Sequence, residues 1–447
     1  MKWSSGFRTV FVLAWVAAFL LITFAPKAEA QVLYGQLVGV VQDPSGSMIG
    51  NAKVSIVNKG TALSREAQTD EFGRYTFASL PTGTYDVTVN ASGFKSVTQT
   101  GVEVTVNNVR SLDIRMEVGA VTESIQVSAS TVALKTEKAD VSTEIGAKAV
   151  QDLPLPAYRN YQSLINLVPG ATPAAFQNAV VDTPGRALTT NVNGTNRNNN
   201  NTRVDGAANV FIWLPHHTLY VQPVESIETV NITTGSMDAE QGMAGGAAIT
   251  VQTKSGTNEV HGTGFWYHQN QKLKARHFFD RIDKLPMANM NIFGGTIGGP
   301  IKKNKLFYFF SFERTTERSG QVGQYDVPTE AVRRGDFSGL TALTTIYDPA
   351  TGQPNGAGRQ PFAGNIVPSA RISPIFQEIQ KLAPLPNRPA TDAFGLQQNY
   401  TASGTFKLNR NNYDVKSNYQ ATQNLMIWGK YSRMDAPVTG LVPFGEL

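Results

Sequence analysis

The stretch Asn412-Tyr413-Asp414-Val415-Lys416-Ser417-Asn418-Tyr419-Gln420 changes character at every residue. In an extended strand successive side chains point to opposite faces, so Tyr413, Val415, Ser417 and Tyr419 share one face and Asp414, Lys416, Asn418 and Gln420 the other. Such a strand suits an outer-membrane barrel, where the apolar face meets lipid and the polar face lines the lumen. The preceding aromatic runs have the same character: Gly264-Phe265-Trp266-Tyr267-His268, residues 290–299, and Leu306-Phe307-Tyr308-Phe309-Phe310-Ser311-Phe312. Their rings are expected to form girdles at the membrane interface. Short turns at 300–305 and 422–424 contrast with a long stretch at 315–404, as short inner turns and long outer loops would require.

The start of the chain says where it goes. Lys2 and Arg8 precede an apolar run at 10–24, and Ala28-Glu29-Ala30 offers the small-x-small site of a signal peptidase. Export with cleavage after Ala30 is expected, leaving Gln31 at the mature N-terminus. No later apolar stretch approaches the roughly twenty residues of a spanning helix, so any membrane crossing must use strands. The 447 residues contain no cysteine, which removes disulfides, thiolate nucleophiles and cysteine-ligated metals. The net charge of +5 is mild and its basic residues are scattered, so no nucleic acid is expected as a partner.

Residues 34–118 read as short strands separated by turn residues at close spacing, the pattern of a seven-stranded β-sandwich. In Thr84-Tyr85-Asp86-Val87-Thr88-Val89, the residues Tyr85, Val87 and Val89 alternate with polar neighbours. Asp70 and Gly73 are expected to make one tight turn and Pro81 to Gly83 the next, forcing the aromatics between them inward. The run Thr69-Asp70-Glu71-Phe72-Gly73-Arg74-Tyr75-Thr76-Phe77, with Leu80-Pro81-Thr82-Gly83-Thr84-Tyr85 and Gly93-Phe94, resembles the carboxypeptidase regulatory-like domain, of transthyretin-like fold. That fold is shared with some starch-binding modules, so the resemblance admits a glycan as partner beside a purely structural role.

Residues 119–137 read as a linker. Within it Glu123-Ser124-Ile125-Gln126-Val127-Ser128-Ala129 alternates like a strand without a home sheet, and resembles the TonB box, an extended peptide that pairs with TonB by strand addition. A plain linker or a last sandwich strand are the other readings of these residues. Beyond it, Tyr161, Leu164, Ile165 and Val168 fall at helical spacing before Pro169-Gly170. Then follow Asn191-Val192-Asn193-Gly194, an asparagine run at 198–201, Thr202-Arg203-Val204-Asp205-Gly206, Val224-Glu225-Ser226-Ile227-Glu228-Thr229-Val230, and a Gly245-Gly246 turn into a strand ending in Thr253-Lys254. This ordered set resembles the plug domain of TonB-dependent outer-membrane receptors, and Gly245 and Gly246 would allow close backbone approach. The motifs Gly294-Gly295-Thr296-Ile297-Gly298-Gly299-Pro300-Ile301, Gly335-Asp336-Phe337-Ser338-Gly339-Leu340 and Ile346-Tyr347-Asp348-Pro349 resemble receptors of this kind that carry a regulatory-like domain in front.

The expected fold is therefore mainly β: signal peptide 1–30, β-sandwich 31–118, linker with TonB box 119–137, α+β plug 138–255, and the first strands of a transmembrane barrel with a long extracellular loop, 256–447. Receptor barrels of this kind have about 22 strands. Fewer than about two hundred residues follow Lys254, room for roughly four to eight strands, so an incomplete barrel and a fragment of a longer protein are expected. The resemblance implies energy-coupled uptake of a scarce solute at the outer membrane, with the sandwich in the periplasm. Its implied partners are TonB with ExbB and ExbD, outer-membrane lipid, and a small solute or glycan. The alternative is an adhesion or assembly protein that uses the barrel as an anchor.

Enzyme chemistry lacks its parts. None of His216, His217, His261, His268 or His277 has a glutamate at zinc-peptidase spacing, and neither a Gly-x-Ser-x-Gly elbow nor a phosphate loop is present. No metal and no cofactor is expected. The ligand contacts to test are Asn198, Asn199 and Asn200, whose amides both donate and accept, and Trp213, His216 and His217. Adjacent histidines in a strand are expected to point to opposite faces and so not to share a metal.

Overall fold

The computed structural model describes residues 34–119, 124–128, 138–176, 187–211, 213–237, 239–242, 244–275 and 287–440. The expected signal peptide and its cleavage site at Ala28, Ala30 and Gln31 lie outside them, as do Glu123 and Ala129.

The first unit has two sheets. One is formed by β1 (Tyr34–Gln42), antiparallel to β4 (Arg74–Pro81) and parallel to β7 (Val109–Ser111) and β8 (Ile114–Arg115). The other runs in the order β3 (Ser64–Gln68), β2 (Lys53–Asn58), β5 (Gly83–Asn90), β6 (Ser96–Val104), β9 (Ser124–Ser128). Counting β7 and β8 as one interrupted edge, Tyr34 to Arg115 gives the seven strands expected. Between the sheets lie Leu37, Val54, Ile56, Tyr75, Phe77, Leu80, Tyr85, Val87, Val89, Val102 and Met116, all buried. Full burial of a valine or leucine contributes about 1.5–3 kcal/mol, so this core can hold the unit without disulfides. The buried ring hydroxyls are satisfied: Tyr85 donates to the Pro81 carbonyl at 2.7 Å and Tyr75 to that of Leu112 at 2.6 Å. At the Asp70–Gly73 turn the Asp70 carboxylate accepts from the amides of Phe72 and Arg74, and Gly73 takes φ +69°, where a side chain is strained.

The second unit is α+β. Its sheet runs β10 (Val141–Gly146), β17 (Ile227–Gly235), β18 (Ala248–Thr253), β13 (Asn201–Val204), β14 (Ala207–Ala208), with only β18 and β13 parallel. Two small ladders flank it: β11 (Ala175–Phe176) with β12 (Leu188–Thr189), and β15 (Val210–Phe211) with β16 (Leu214–Thr218). Helix α1 (Ala147–Asp152) and a 3₁₀ helix, Tyr161–Leu167, pack on it, bringing Val150, Tyr161, Leu164 and Ile165 against Ile227, Val230, Ile232 and Val251. The periodic run is thus helical but 3₁₀: Asn160 caps it by accepting from the Gln162 amide, and Val168 is already extended before Pro169. Of the two glycines in the turn, Gly246 is the one that needs to be small. A Cβ there would sit 2.4 Å from Thr195 Oγ1, whereas at Gly245 the nearest atom would be 3.6 Å away.

The third unit is an open antiparallel sheet of β19 (His261–Asn270), β20 (Ala288–Lys302), β21 (Leu306–Tyr325), β22 (Tyr400–Thr422) and β23 (Leu425–Asp435), with β24 (Val438–Thr439) pairing β22. The long stretch is shorter than expected as a loop. β21 runs on to Tyr325 and pairs residue by residue with β22 from Tyr400, so the connection spans 326–399. The extension is rich in Thr, Ser, Gly and Gln, so no apolar alternation marks it; backbone pairing carries the ladder, helped by Arg318, which donates to the Leu408 carbonyl and to Asn409 Oδ1 on β22.

The wall faces are as the alternation requires: Asn412, Asp414 and Lys416 are buried, while Tyr413, Val415 and Tyr419 are exposed. The aromatics of β21 depart in part from the girdle expectation. Phe310 is exposed, but Phe307 and Phe309 point inward and are buried, because five consecutive large residues in a strand must occupy both faces. The turn at 422–424 and the connection from β18 to β19 lie against the sandwich: Arg65 donates to the Gln423 carbonyl at 3.1 Å, and the Asn258 amide to that of Gly60 at 2.8 Å.

Candidate functional site: the charged contact between the middle sheet and the barrel wall

The inward face of β22 and β23 meets the second unit through charges. The turn after β13 places Asp205, 2% exposed, so that its carboxylate accepts from the Thr253 amide and hydroxyl at the end of β18. From the wall, Lys416 Nζ reaches Asp205 at 3.0 Å and also donates to the Thr253 carbonyl at 3.0 Å. Lys430 Nζ stands 3.3 Å from the other Asp205 oxygen and donates to Gln222 Oε1 at 3.1 Å. Asp414 completes the group, accepting from Gln222 Nε2 at 2.8 Å, Tyr220 OH at 3.0 Å and Ser432 Oγ at 2.6 Å. Burial alone would raise the Asp205 carboxyl; the two lysines and Thr253 outweigh it and hold it below the ordinary aspartate value.

A second set lies along the same wall. Arg159 pairs with Glu225 at 3.0 Å within the second unit and its guanidinium sits 3.8 Å from the centre of the Tyr267 ring on β19. Arg410 pairs with Glu313 at 3.2 Å on the wall itself, and Tyr158 donates to Glu317 at 2.7 Å. Buried ions removed from water are costly unless paired and hydrogen-bonded, and these are. Towards the short turns a cavity of about 800 Å³ opens where the three units meet, bordered by Gly60, Pro81, Lys254, Phe309 and Trp428.

The residues singled out as ligand contacts are differently placed. Asn200 is buried and structural: its Oδ1 accepts from the Ala247 amide at 3.0 Å and its Nδ2 donates to the Thr190 carbonyl at 2.8 Å. Asn198 and Asn199 are exposed on a 3₁₀ turn, Arg197–Asn199, that lies beside β16, and Asn200 and His216 border one small pocket. Trp213 is exposed. His216 and His217 depart from the expectation of opposed faces: their ring centroids are 4.6 Å apart, edge to face, since β16 belongs to a short irregular ladder rather than a regular pleat. Partial burial and Arg197 lower both imidazoles, which keeps them neutral at pH 7. Among the described residues no three His, Asp or Glu side chains converge as metal ligands.

Asp205, Lys430, Tyr220, Gln222 and Arg159 were not marked as site residues by sequence. The signal that could have found their partners is the lysine and aspartate alternating with apolar residues in β22, since buried charge demands a counter-charge from elsewhere in the chain.

Comparison with known proteins agrees with this architecture. Residues 36–117 match the carboxypeptidase regulatory-like domain family, and residues 252–446 the outer membrane beta barrel domain family. The TonB-dependent transporter Oar of Myxococcus xanthus is 24% identical over 404 residues, covering 87% of this chain and 35% of that protein. The chain thus spans about a third of its relative's length. Among solved structures, a ferric enterobactin receptor of Pseudomonas aeruginosa aligns with 68% of this chain and 33% of its own at 13% identity and a TM-score of 0.36. This is an outer-membrane protein that joins a carboxypeptidase regulatory-like domain to an outer membrane beta barrel domain, and a relative of a TonB-dependent transporter.

Proposed function

We propose that the chain serves energy-coupled transport of a scarce solute or glycan across the outer membrane, with residues 138–255 as the plug and 123–129 as the contact for TonB, driven by ExbB and ExbD. The observation that carries this is the charged contact around Asp205 and Lys416. A plug held by hydrogen-bonded ions can separate into water, where each group regains partners, more readily than one held by an apolar core. In sequence the TonB contact precedes β10, which among the described residues pairs with β17 alone. A pull therefore reaches the plug sheet at its edge.

In a full-length protein Ile125→Pro removes a backbone donor and restricts its neighbour, whereas Ile125→Ala leaves the backbone intact. The proline variant should lose solute-dependent binding to the periplasmic part of TonB, by tenfold or more, while surface display is kept and the alanine variant binds within about threefold of the parent. Equal binding by the proline variant removes the TonB role of this segment. The second reading, an adhesion or assembly protein, is favoured by one feature of the 326–399 connection: its helix Pro374–Lys381 exposes Ile375, Phe376 and Ile379. Such a protein would be indifferent to Ile125→Pro.

A further inference from the structure

The segment that resembles a TonB box has a home sheet. As β9 it runs parallel to β6, in register from Ser96 opposite Ser124 to Thr100 opposite Ser128. It forms the edge of the five-stranded sandwich sheet. Both flanks are tied to the same domain: the Gly119 amide donates to the Gly93 carbonyl, and Lys138 Nζ to Asn107 Oδ1 at 3.1 Å. Strand addition needs free backbone N–H and C=O groups, and those on one side of Ser124–Ser128 are engaged by β6. We propose that the sandwich holds this segment in reserve, β6 and an incoming strand of TonB competing for the same edge, so that coupling begins when β9 peels from β6. The inference rests on the assignment of 123–129 to TonB. Five residues of parallel edge pairing make a weak dock, so the segment remains releasable; a docked population of about nine in ten weakens TonB binding about tenfold relative to the free peptide.

Two measurements test this, both with the full chain in detergent. Hydrogen exchange on the unaltered chain should find the Ser96–Thr100 amides that face β9 protected alone and deprotected when the periplasmic part of TonB is added. A complex in which both β6 and β9 stay protected overturns the inference, since TonB would then add to the outer edge. Thr98 and Gln126 are register neighbours, and adjacent strands lie about 4.8 Å apart, within disulfide reach. With no native cysteine, a Thr98→Cys, Gln126→Cys chain carries a single thiol pair. Its oxidised form should bind TonB at least tenfold more weakly than the same protein after reduction; equal binding in the two states overturns the inference. A synthetic peptide of residues 121–129 is the separate control. If it binds TonB while the oxidised and reduced chains do not differ, the storage role fails and the TonB assignment stands. If the peptide does not bind, the assignment fails and the storage role with it.

Discussion

In β5 of the sandwich, Tyr85, Val87 and Val89 are fully buried and Asp86 and Thr88 reach towards the surface. In β22 of the barrel wall, Asp414 and Lys416 are buried and Tyr413 and Val415 are exposed. The period is the same and the burial is reversed. Water surrounds the sandwich, so its apolar face must be hidden; hydrocarbon surrounds the wall, so its polar face must be hidden, and it is hidden against the charges of the middle unit. The difference teaches that burial alone does not mark a stabilising apolar contact: in the wall the buried residues are those that must find ionic and hydrogen-bonded partners.

The sharpest way to break the comparison is to remove one lysine from each side. Lys416→Met leaves Asp205 buried with Lys430 as its remaining counter-ion, and should destabilise the middle unit against the wall by about 3–5 kcal/mol. Lys53→Met in the sandwich deletes an ion pair to Glu66 of 2.9 Å whose members are about half exposed, and should cost no more than about 1 kcal/mol. Urea titration followed by protease cleavage in each unit reads both. Similar losses at the two sites would mean that the wall contact is solvated like a surface.

Exposed apolar residues give the next contrast. Val415→Lys puts a charge on the lipid face and should cost about 2–4 kcal/mol near the bilayer centre, less near its edges. Phe72→Lys, on a sandwich turn where the ring is also exposed, should stay within about 0.5 kcal/mol. Folding yield into lipid vesicles distinguishes them, and a neutral Val415→Lys would remove the lipid-facing assignment of β22.

Acid produces the smallest effect at physiological pH. The Asp205 carboxyl is held below its unfolded value, so its contribution is fully present above the unfolded value of about 3.9 and is lost as pH falls through the folded one. The Asp205 contribution should therefore be unchanged between about pH 5 and 8 and be lost only below about pH 4. Asp205→Asn should flatten that acid limb of the protease-sensitivity profile. An unchanged profile in the variant would assign the limb to another carboxylate.

Several parts of this architecture were legible in residue order because their causes are local. The Asp70–Gly73 turn, the alternation of β5 and the two faces of β22 follow from turn chemistry and from the two-residue period of a strand, which need no knowledge of the rest of the chain. That part of the Leu306–Phe310 run must turn inward follows from the same period; that it is Phe307 and Phe309, and that Tyr161–Leu167 is 3₁₀, was not legible, because both depend on what packs against them.

The amino-acid sequence by itself determined the sandwich, its Asp70–Gly73 turn, the two faces of β22 and the character of the wall. Only the tertiary structure decided which buried charge meets which, and where the segment at 124–128 rests. Lys416 and Asp205 are 211 residues apart and Thr98 and Gln126 lie on strands that local pattern leaves unpaired. Alternation fixes the direction in which a side chain or a backbone edge points, and the partner is chosen by the fold that closes the intervening chain.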